Sequence, residues 1–340
     1  MNVFKAFEQD DIVKANPTEV STGLWSGDTG SLTAFYTSST QSGSTSGQYY
    51  YDVYNFNPQL TASAEVQFSI AYGNVDGYGA ATLNDDDNAL LPTKATYFQY
   101  RNILLEPDDP TFTFLPTTAG ATYNADEIFV VNVRRQRLRE KLDPGNWSMK
   151  LNGATYIDDS GQTLGATYGK AGRVFNIVSG SLTGVSGSTV VATSSISGGF
   201  GLMYPDIGIL VFNVQALRTN GSISATDLGT GAGNRDNNWV FLTALQSGSD
   251  FQARSAENIS STHYFVRMRN KEYNYSNNPS FFDETNGNII NTDFIQDPQV
   301  YVTTVGLYNA SNELVAVAKL SQPLRKSFDR EALVRVRLDF

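Results

Sequence analysis

The clearest alternation of apolar and polar residues runs over the end of the chain, LVRVRLDF. Val334, Val336, Leu338 and Phe340 fall on one face, and Arg335, Arg337 and Asp339 fall on the other. A period of two marks a half-buried strand, because successive side chains of an extended chain point to opposite sides. Upstream, Tyr301 to Tyr308 (YVTTVGLY) reads as a strand and Asn309-Ala-Ser-Asn312 as a turn. Glu313 to Leu320 (ELVAVAKL) is the returning strand, stopped by Pro323, which has no N–H for a ladder. An alternating run of this kind at a chain end predicts a terminus tied into a sheet. Arg335 and Arg337, on its polar face, are candidates to meet another subunit.

The rest of the chain carries the same kind of signal in shorter pieces. Tyr49 to Tyr54, Ala64 to Tyr72 and Glu127 to Val133 are strand candidates. Trp147 to Leu151 and Ala154 to Ile157 flank Asn152-Gly153, the strongest short hairpin signal. Val174 to Gly199 alternates β-like runs with Gly/Ser turns. Phe200 to Val214 is the most apolar stretch; it reads as a core strand after a turn at Pro205, with a short helix over Val214 to Leu217. His263 to Lys271 alternates again. Two longer helices are expected. Thr93 to Leu105 repeats Tyr97, Arg101 and Leu104 at helical spacing, and Trp239 to Gln246 is the second. Asn274 to Asn288 is a long Asn-rich loop, a length that is usually functional.

These elements predict a mainly β protein of antiparallel, sandwich- or barrel-like sheets, with a few short helices and long Gly/Ser/Asn-rich loops. Three parts are expected. Residues 1–48 form an extended N-terminal arm or linker, in which Phe4 and Phe7 are anchors and candidate protein-protein contacts, and SSTQSGSTSGQ cannot repay its ordering entropy alone. Residues 49–180 form a first β-rich domain, and 181–340 a second.

Composition narrows the chemistry. The 340 residues are only 17% charged, against roughly 25% in average proteins. The absence of cysteine removes disulfides, thiolate metal sites and cysteine nucleophiles. A formal net charge of −10 argues against general nucleic-acid binding. Neither a secretory leader nor an apolar run of about 20 residues is legible, which predicts a soluble, cytosolically made chain without membrane contact.

His263 is the only histidine, and no GxSxG accompanies it. Asn84 to Asn88 is an acidic loop without the ligand spacing of an EF-hand. GTGAG at 229–233 lacks the lysine of a phosphate loop. Neither a cofactor nor catalysis is expected, although two of the 34 acids could in principle serve a glycosidase. One basic segment stands out: Arg134, Arg135, Arg137, Arg139 and Lys141 lie within eight residues. Such runs are usually solvated or salt-bridged, but arginine forks also dock acidic partners.

Several stretches resemble virion structural proteins of large contractile-tailed bacteriophages, marine and cyanobacterial ones especially. They are Arg137-Leu-Arg-Glu-Lys-Leu-Asp-Pro-Gly-Asn-Trp147, Ile157-Asp-Asp-Ser160, Tyr204-Pro-Asp-Ile-Gly208 and YVTTVGLYN…ELVAVAKLSQPLRKSFD…VRVRLDF. The ending also resembles, in strand order and spacing, a dimeric baseplate wedge protein family; the N-terminal half carries no such pattern. The resemblance implies a non-catalytic homodimer, assembled in the host cytoplasm into the tail baseplate and bridging neighbouring baseplate proteins. A receptor- or glycan-binding tail protein, or a neck or capsid decoration protein, are the alternatives.

Overall fold

The computed structural model describes residues 4–39, 41, 49–77, 92–115, 123–161, 166–182, 190–191, 199–224 and 234–340. The fold is mainly β, with antiparallel sheets that include a curled half-barrel. Strands β1 (Ile12–Lys14), β2 (Thr18–Gly23), β3 (Ser31–Leu32), β4 (Tyr51–Tyr54) and β5 (Val66–Asn74) precede a helix at Thr93–Leu104. Next come β6 (Phe112–Phe114), β7 (Tyr123–Ala125), β8 (Glu127–Val133), β9 (Lys141–Leu142), β10 (Ser148–Leu151) and β11 (Ala154–Asp158). They are followed by β12 (Thr167–Gly169), β13 (Gly172–Ser179), β14 (Ser181–Leu182), β15 (Val190–Val191), β16 (Gly201–Tyr204) and β17 (Ile209–Asn213). Helices Val214–Thr219 and Asn234–Gly248 lead to β18 (Phe251–Gln252), β19 (Arg254–Ile259) and β20 (Ser261–Met268). The helix Asp293–Gln296 precedes β21 (Val300–Tyr308), β22 (Leu314–Lys326) and β23 (Ala332–Asp339).

The chain divides into two compact units, Glu19–Glu257 and a second made of Met1–Thr18 with Asn258–Phe340. The boundary expected at 180 is therefore misplaced. β13 pairs with β16 from Phe175↔Met203 to Ile177↔Gly201, so one sheet runs across that position. Residues 1–48 are not an arm apart either. Leu24, Trp25, Leu32 and Phe35 are buried in the larger unit's core, and β1 pairs with β20 in the smaller unit. The stretch 42–48 lies outside the described residues, as do the acidic loop 84–88 and GTGAG at 229–233.

The larger unit is built on an antiparallel sheet in the order β3-β18-β10-β11-β13-β16-β17-β8-β5-β4. Its middle strands are apolar on both faces because both faces are covered. Phe129, Val131, Leu210 and Phe212 enter one core with Phe241, Leu242 and Leu245 of the helix Asn234–Gly248. Ile128, Val130, Ile209 and Val211 enter a second core with Tyr97 and Leu104 of the helix Thr93–Leu104. The Tyr97 hydroxyl donates to the Ala125 carbonyl at 2.7 Å and accepts from the Phe112 amide at 3.1 Å. That helix sits close over β5. A Cβ at Gly73 would meet the Tyr97 backbone at 2.9 Å, so the approach requires glycine.

The smaller unit is a two-layer β structure. One layer is the sheet β1-β20-β23, the other the hairpin β21–β22. Met268, Val334 and Val336 of the first layer pack with Val305 and Leu307 of the second. The terminal strand alternates as the sequence predicts, except that Phe340 is exposed while its backbone pairs with Ser260 in both directions. Pro323 does not end the returning strand. β22 continues to Lys326, because the proline falls in an irregular stretch between Thr304↔Lys319 and Val302↔Leu324, where the ladder asks nothing of it. The Asn-rich loop carries an aromatic cluster of its own: Phe281 stacks on Phe294 at 5.6 Å and meets Tyr275 edge-on at 5.4 Å.

Candidate interaction surfaces

His263 lies in β20, opposite Val13 on one side and Arg337 on the other, with its Nδ1 buried and without a hydrogen-bond partner. A base needs a group to orient it; here the paired neighbours are an aliphatic and a cation, no hydrogen bond holds Nδ1, and the nearby Asp339 carboxylate is bonded to Ser261 and Arg337. The adjacent acids Asp158 and Asp159 are buried at the end of β11. Asp158 accepts from the amides of Gly145 at 2.8 Å and Ser160 at 2.9 Å. Asp159 accepts from the Asn176 amide and side chain at 2.8 and 2.7 Å. Burial pushes the Asp158 carboxyl above its ordinary range, against these hydrogen bonds. Both lock the chain where β11 ends. No group of three or more acids and histidine is placed to hold a metal among the described residues.

The basic segment is largely occupied by the larger unit's own carboxylates. Arg137 pairs with Glu65, and Arg139 with Glu257 at 2.8 Å. Lys141, which is buried, pairs with Glu19 at 2.6 Å. Hydrogen bonds from Ser26 and Arg137 hold the Glu65 carboxyl below its usual range. Arg135 is exposed and donates to the Glu140 carbonyl of its own loop at 3.2 Å. Arg134 is also exposed. Of the five cations, Arg134 and Arg135 face outward, with no carboxylate among the described residues at salt-bridge distance, so a docking role falls to them first.

The terminal strand presents Leu333, Arg335 and Arg337 outward. Arg337 is held by Asp339 at 2.6 Å and donates to the Ser261 hydroxyl at 3.2 Å, while Arg335 is exposed. Phe7 is spent inside the unit, 5.5 Å from Tyr264 and packed on the core. Phe4 is half exposed and meets the Tyr308 ring edge-on at 4.7 Å.

The hairpin carries the most conspicuous surface of the smaller unit. Its inner positions Val305, Leu307, Ala316, Ala318 and Leu320 pack against β20 and β23. Its outer positions are apolar too: Tyr301 is 62% exposed, Val315 65% and Val317 58%, with Tyr308 and Leu314 also exposed. Gly306 lies opposite Val317 in this face, and a Cβ there would come within 3.0 Å of Tyr308 Cε2 and 3.2 Å of Leu314 Cδ1. The glycine thus lets the tyrosine ring lie flat along the hairpin beside the leucine. Single exposed apolar residues are ordinary, whereas a contiguous apolar strip marks a surface that something covers.

Beside the hairpin lies a cavity of about 660 Å³, lined by Phe4 to Phe7, by Phe265 to Met268 of β20 and by Val302 to Asn309 except Thr303. β1 reaches only Thr262 to Tyr264 of β20, so among the described residues β20 has no strand beside it on that side at these positions. Lys5 spans the mouth, donating to the Arg267 carbonyl at 2.9 Å and to Glu272 at 2.8 Å.

Sequence reasoning placed the contacts on charges and on Phe4 and Phe7, and overlooked the outer hairpin face. The signal was present in ELVAVAKL, where apolar residues occupy both strand faces rather than one. Continuous apolarity in a strand implies that both of its faces are covered. No protein-family model matches the chain, and no curated protein or solved structure is significantly similar to it.

Proposed function

We propose that this chain is a non-catalytic structural subunit of a contractile bacteriophage tail, a baseplate wedge component that works by being covered by its neighbours. The observation that carries the reading is the outer face of the β21–β22 hairpin, apolar at Tyr301, Tyr308, Leu314, Val315 and Val317. This is the same stretch whose strand order and spacing resemble the wedge family. An exposed apolar patch of this kind is costly to leave in water and suits the buried centre of an assembly interface. The exposed Arg134 and Arg135 supply a second contact, for an acidic neighbour.

The test uses particles. Virions grown with an epitope-tagged chain should carry label at the baseplate end of the tail, seen by immunoelectron microscopy. The double variant V315E/V317E changes only exposed positions, so it should fold normally and yet fail to enter particles. Label absent from particles, or undiminished incorporation of the double variant, would sink the reading. Binding of the purified chain to host polysaccharide would move it to the glycan-binding alternative.

A further inference from the structure

We infer that β21 is the edge on which a second copy of this chain pairs, antiparallel, strand to identical strand. The inference deepens the assembly reading above and rests on it only for the presence of a second copy.

Among the described residues β21 pairs with β22 alone, and no other segment makes a backbone hydrogen bond to Val300–Tyr308. This edge, irregular where the ladder shifts between Val302 and Thr304 and between Leu307 and Tyr308, leaves amides and carbonyls open as a template for another strand. Natural sheets blunt such edges with charge, proline or a covering segment. Among the described residues, the remaining edges of the main sheet and of the smaller unit's two layers carry one of these devices or are only two or three residues long. In the larger unit β4 is covered: Tyr54 exchanges backbone hydrogen bonds with Tyr36, and the Asp52 amide donates to the Gln41 side chain. β3 is two residues long. In the smaller unit β22 carries Lys319, Pro323 and Arg325, and β23 carries Arg335, Arg337 and Asp339. β1 is three residues long and holds Lys14. β21, VYVTTVGLY, has no charge and no proline, and five of its nine residues are valine or threonine, which favour strands. The chain's own Phe4 to Phe7 lie at the cavity beside this strand without hydrogen-bonding its backbone.

The occupant follows from charge and symmetry. Each copy carries a net charge of −10, so two copies repel over most of their surface. An uncharged strand is where they approach at least cost, and identical strands set no like charges opposite one another. Pairing about a twofold axis uses the same edge on both copies. Lys319, Pro323 and Arg325 make the outer edge of β22 a poorer template than β21, so the joined sheet of four strands does not invite a further copy.

Because the chain has no cysteine, a single introduced thiol can crosslink only to its twin. Tyr301, Thr303, Thr304, Gly306 and Tyr308 are the exposed positions of β21, so each is replaced by cysteine in turn. Thr285, in the Asn-rich loop, serves as the control. The mass of the unmodified chain is read by light scattering, and covalent dimer formation is followed with a short thiol crosslinker. A doubled mass is expected, with at least one β21 position crosslinking about tenfold or more faster than T285C, because paired sites meet at high effective concentration. The exposed-site pair T303K/T304K should return the mass to one chain while leaving thermal unfolding unchanged. A monomeric mass at micromolar concentration would overturn the inference. So would a dimer whose β21 cysteines crosslink no faster than the control, since another surface would then join the copies. Capture of a different protein by these cysteines in assembling particles, in place of the twin, would also overturn it. None of these failures touches the assembly reading, which is decided on particles.

Discussion

Phe4 meets Tyr308 edge-on, ring centroids 4.7 Å apart and planes at 64°, so the start of the described chain is pinned to the tip of the terminal hairpin. Both residues belong to the smaller unit, and both are partly exposed. An edge-to-face pair contributes about 0.5–1.5 kcal/mol beyond the area it buries. Phe4→Ala should therefore cost about 0.5–1.5 kcal/mol of global stability. Its larger effect should be local. Amide exchange at Lys5 to Phe7 should quicken, while β20 and β23 keep their protection. Uniformly faster exchange over the smaller unit would show that Phe4 supports the whole layer.

Gly73 makes a sharper case. The helix Thr93–Leu104 lies so close to β5 that a methyl group at Gly73 would press on the backbone of Tyr97. A backbone cannot rotate away as a flexible side chain can, so the helix must shift. Gly73→Ala should cost about 1–3 kcal/mol, the range for overpacking. Displacement would also loosen the Tyr97 hydroxyl from Ala125 and Phe112. Tyr97→Phe alone leaves the Phe112 amide without its acceptor and should cost about 1–3 kcal/mol. Denaturant unfolding of both single variants and the double measures whether the two losses overlap. If they share one cause, the double variant should fall short of their sum.

Local chemistry was legible where a few residues decide it. Asn152-Gly153 forecast a hairpin, and Asn152 has a φ of +50° in a turn that sets Leu151 opposite Ala154. The helix beginning at Thr93 was legible from its spacing, as was the alternation of β23. What the sequence hid is non-local. β8 lies between β5 and β17, and nothing in EIFVVNV states which distant strands flank it. The arginines illustrate the same limit. Such a run is most often solvated or salt-bridged, but Glu65, Glu257 and Glu19 lie 72, 118 and 122 residues from the cations they bind, so which cations are engaged was not legible. Pro323 was misjudged because a proline stops only a regular ladder, and the ladder there is irregular.

Lys326 is fully buried, and its ammonium group meets only neutral oxygens: the Asn270 carbonyl at 2.8 Å, Asn274 Oδ1 at 2.9 Å and the Ser327 carbonyl at 2.9 Å. Burial lowers its pKa, with Glu272, Glu331 and Asp329 acting in the opposite sense. The three hydrogen bonds tie the start of the Asn-rich loop to the base of the hairpin. Lys326→Met keeps the aliphatic stem and removes the donors, leaving three acceptors unmet. A loss of about 2–3 kcal/mol is expected, near the upper range for hydrogen bonds to charged groups. Proteolysis should move to residues 270–275. A variant as stable as the parent would mean that water replaces the ammonium group without penalty.

Asp206 supplies the pH dependence. Burial alone would raise its carboxyl, but hydrogen bonds from the Arg173 side chain and amide, together with the arginine charge, hold it below the ordinary value of 3.8. The contacts are 3.2 and 2.7 Å from Nε and Nη2 to Oδ1, and 2.9 Å from the amide to Oδ2. A carboxyl depressed on folding contributes stability that is present above its unfolded pKa and is lost as pH falls through its folded pKa. About a third of the Asp206 side chain faces water, so screening limits the contribution to about 1 kcal/mol. Asp206→Asn should accordingly lower stability by that amount near neutrality. As the pH falls below the unfolded value, the parent protonates and loses the same interaction, so the two unfolding curves should converge. Urea unfolding of parent and variant, followed from neutral pH into the acid range, reads the difference directly. A gap that stays constant with pH would assign the loss to the amide's poorer fit against the Arg173 N–H groups, and not to the carboxylate charge.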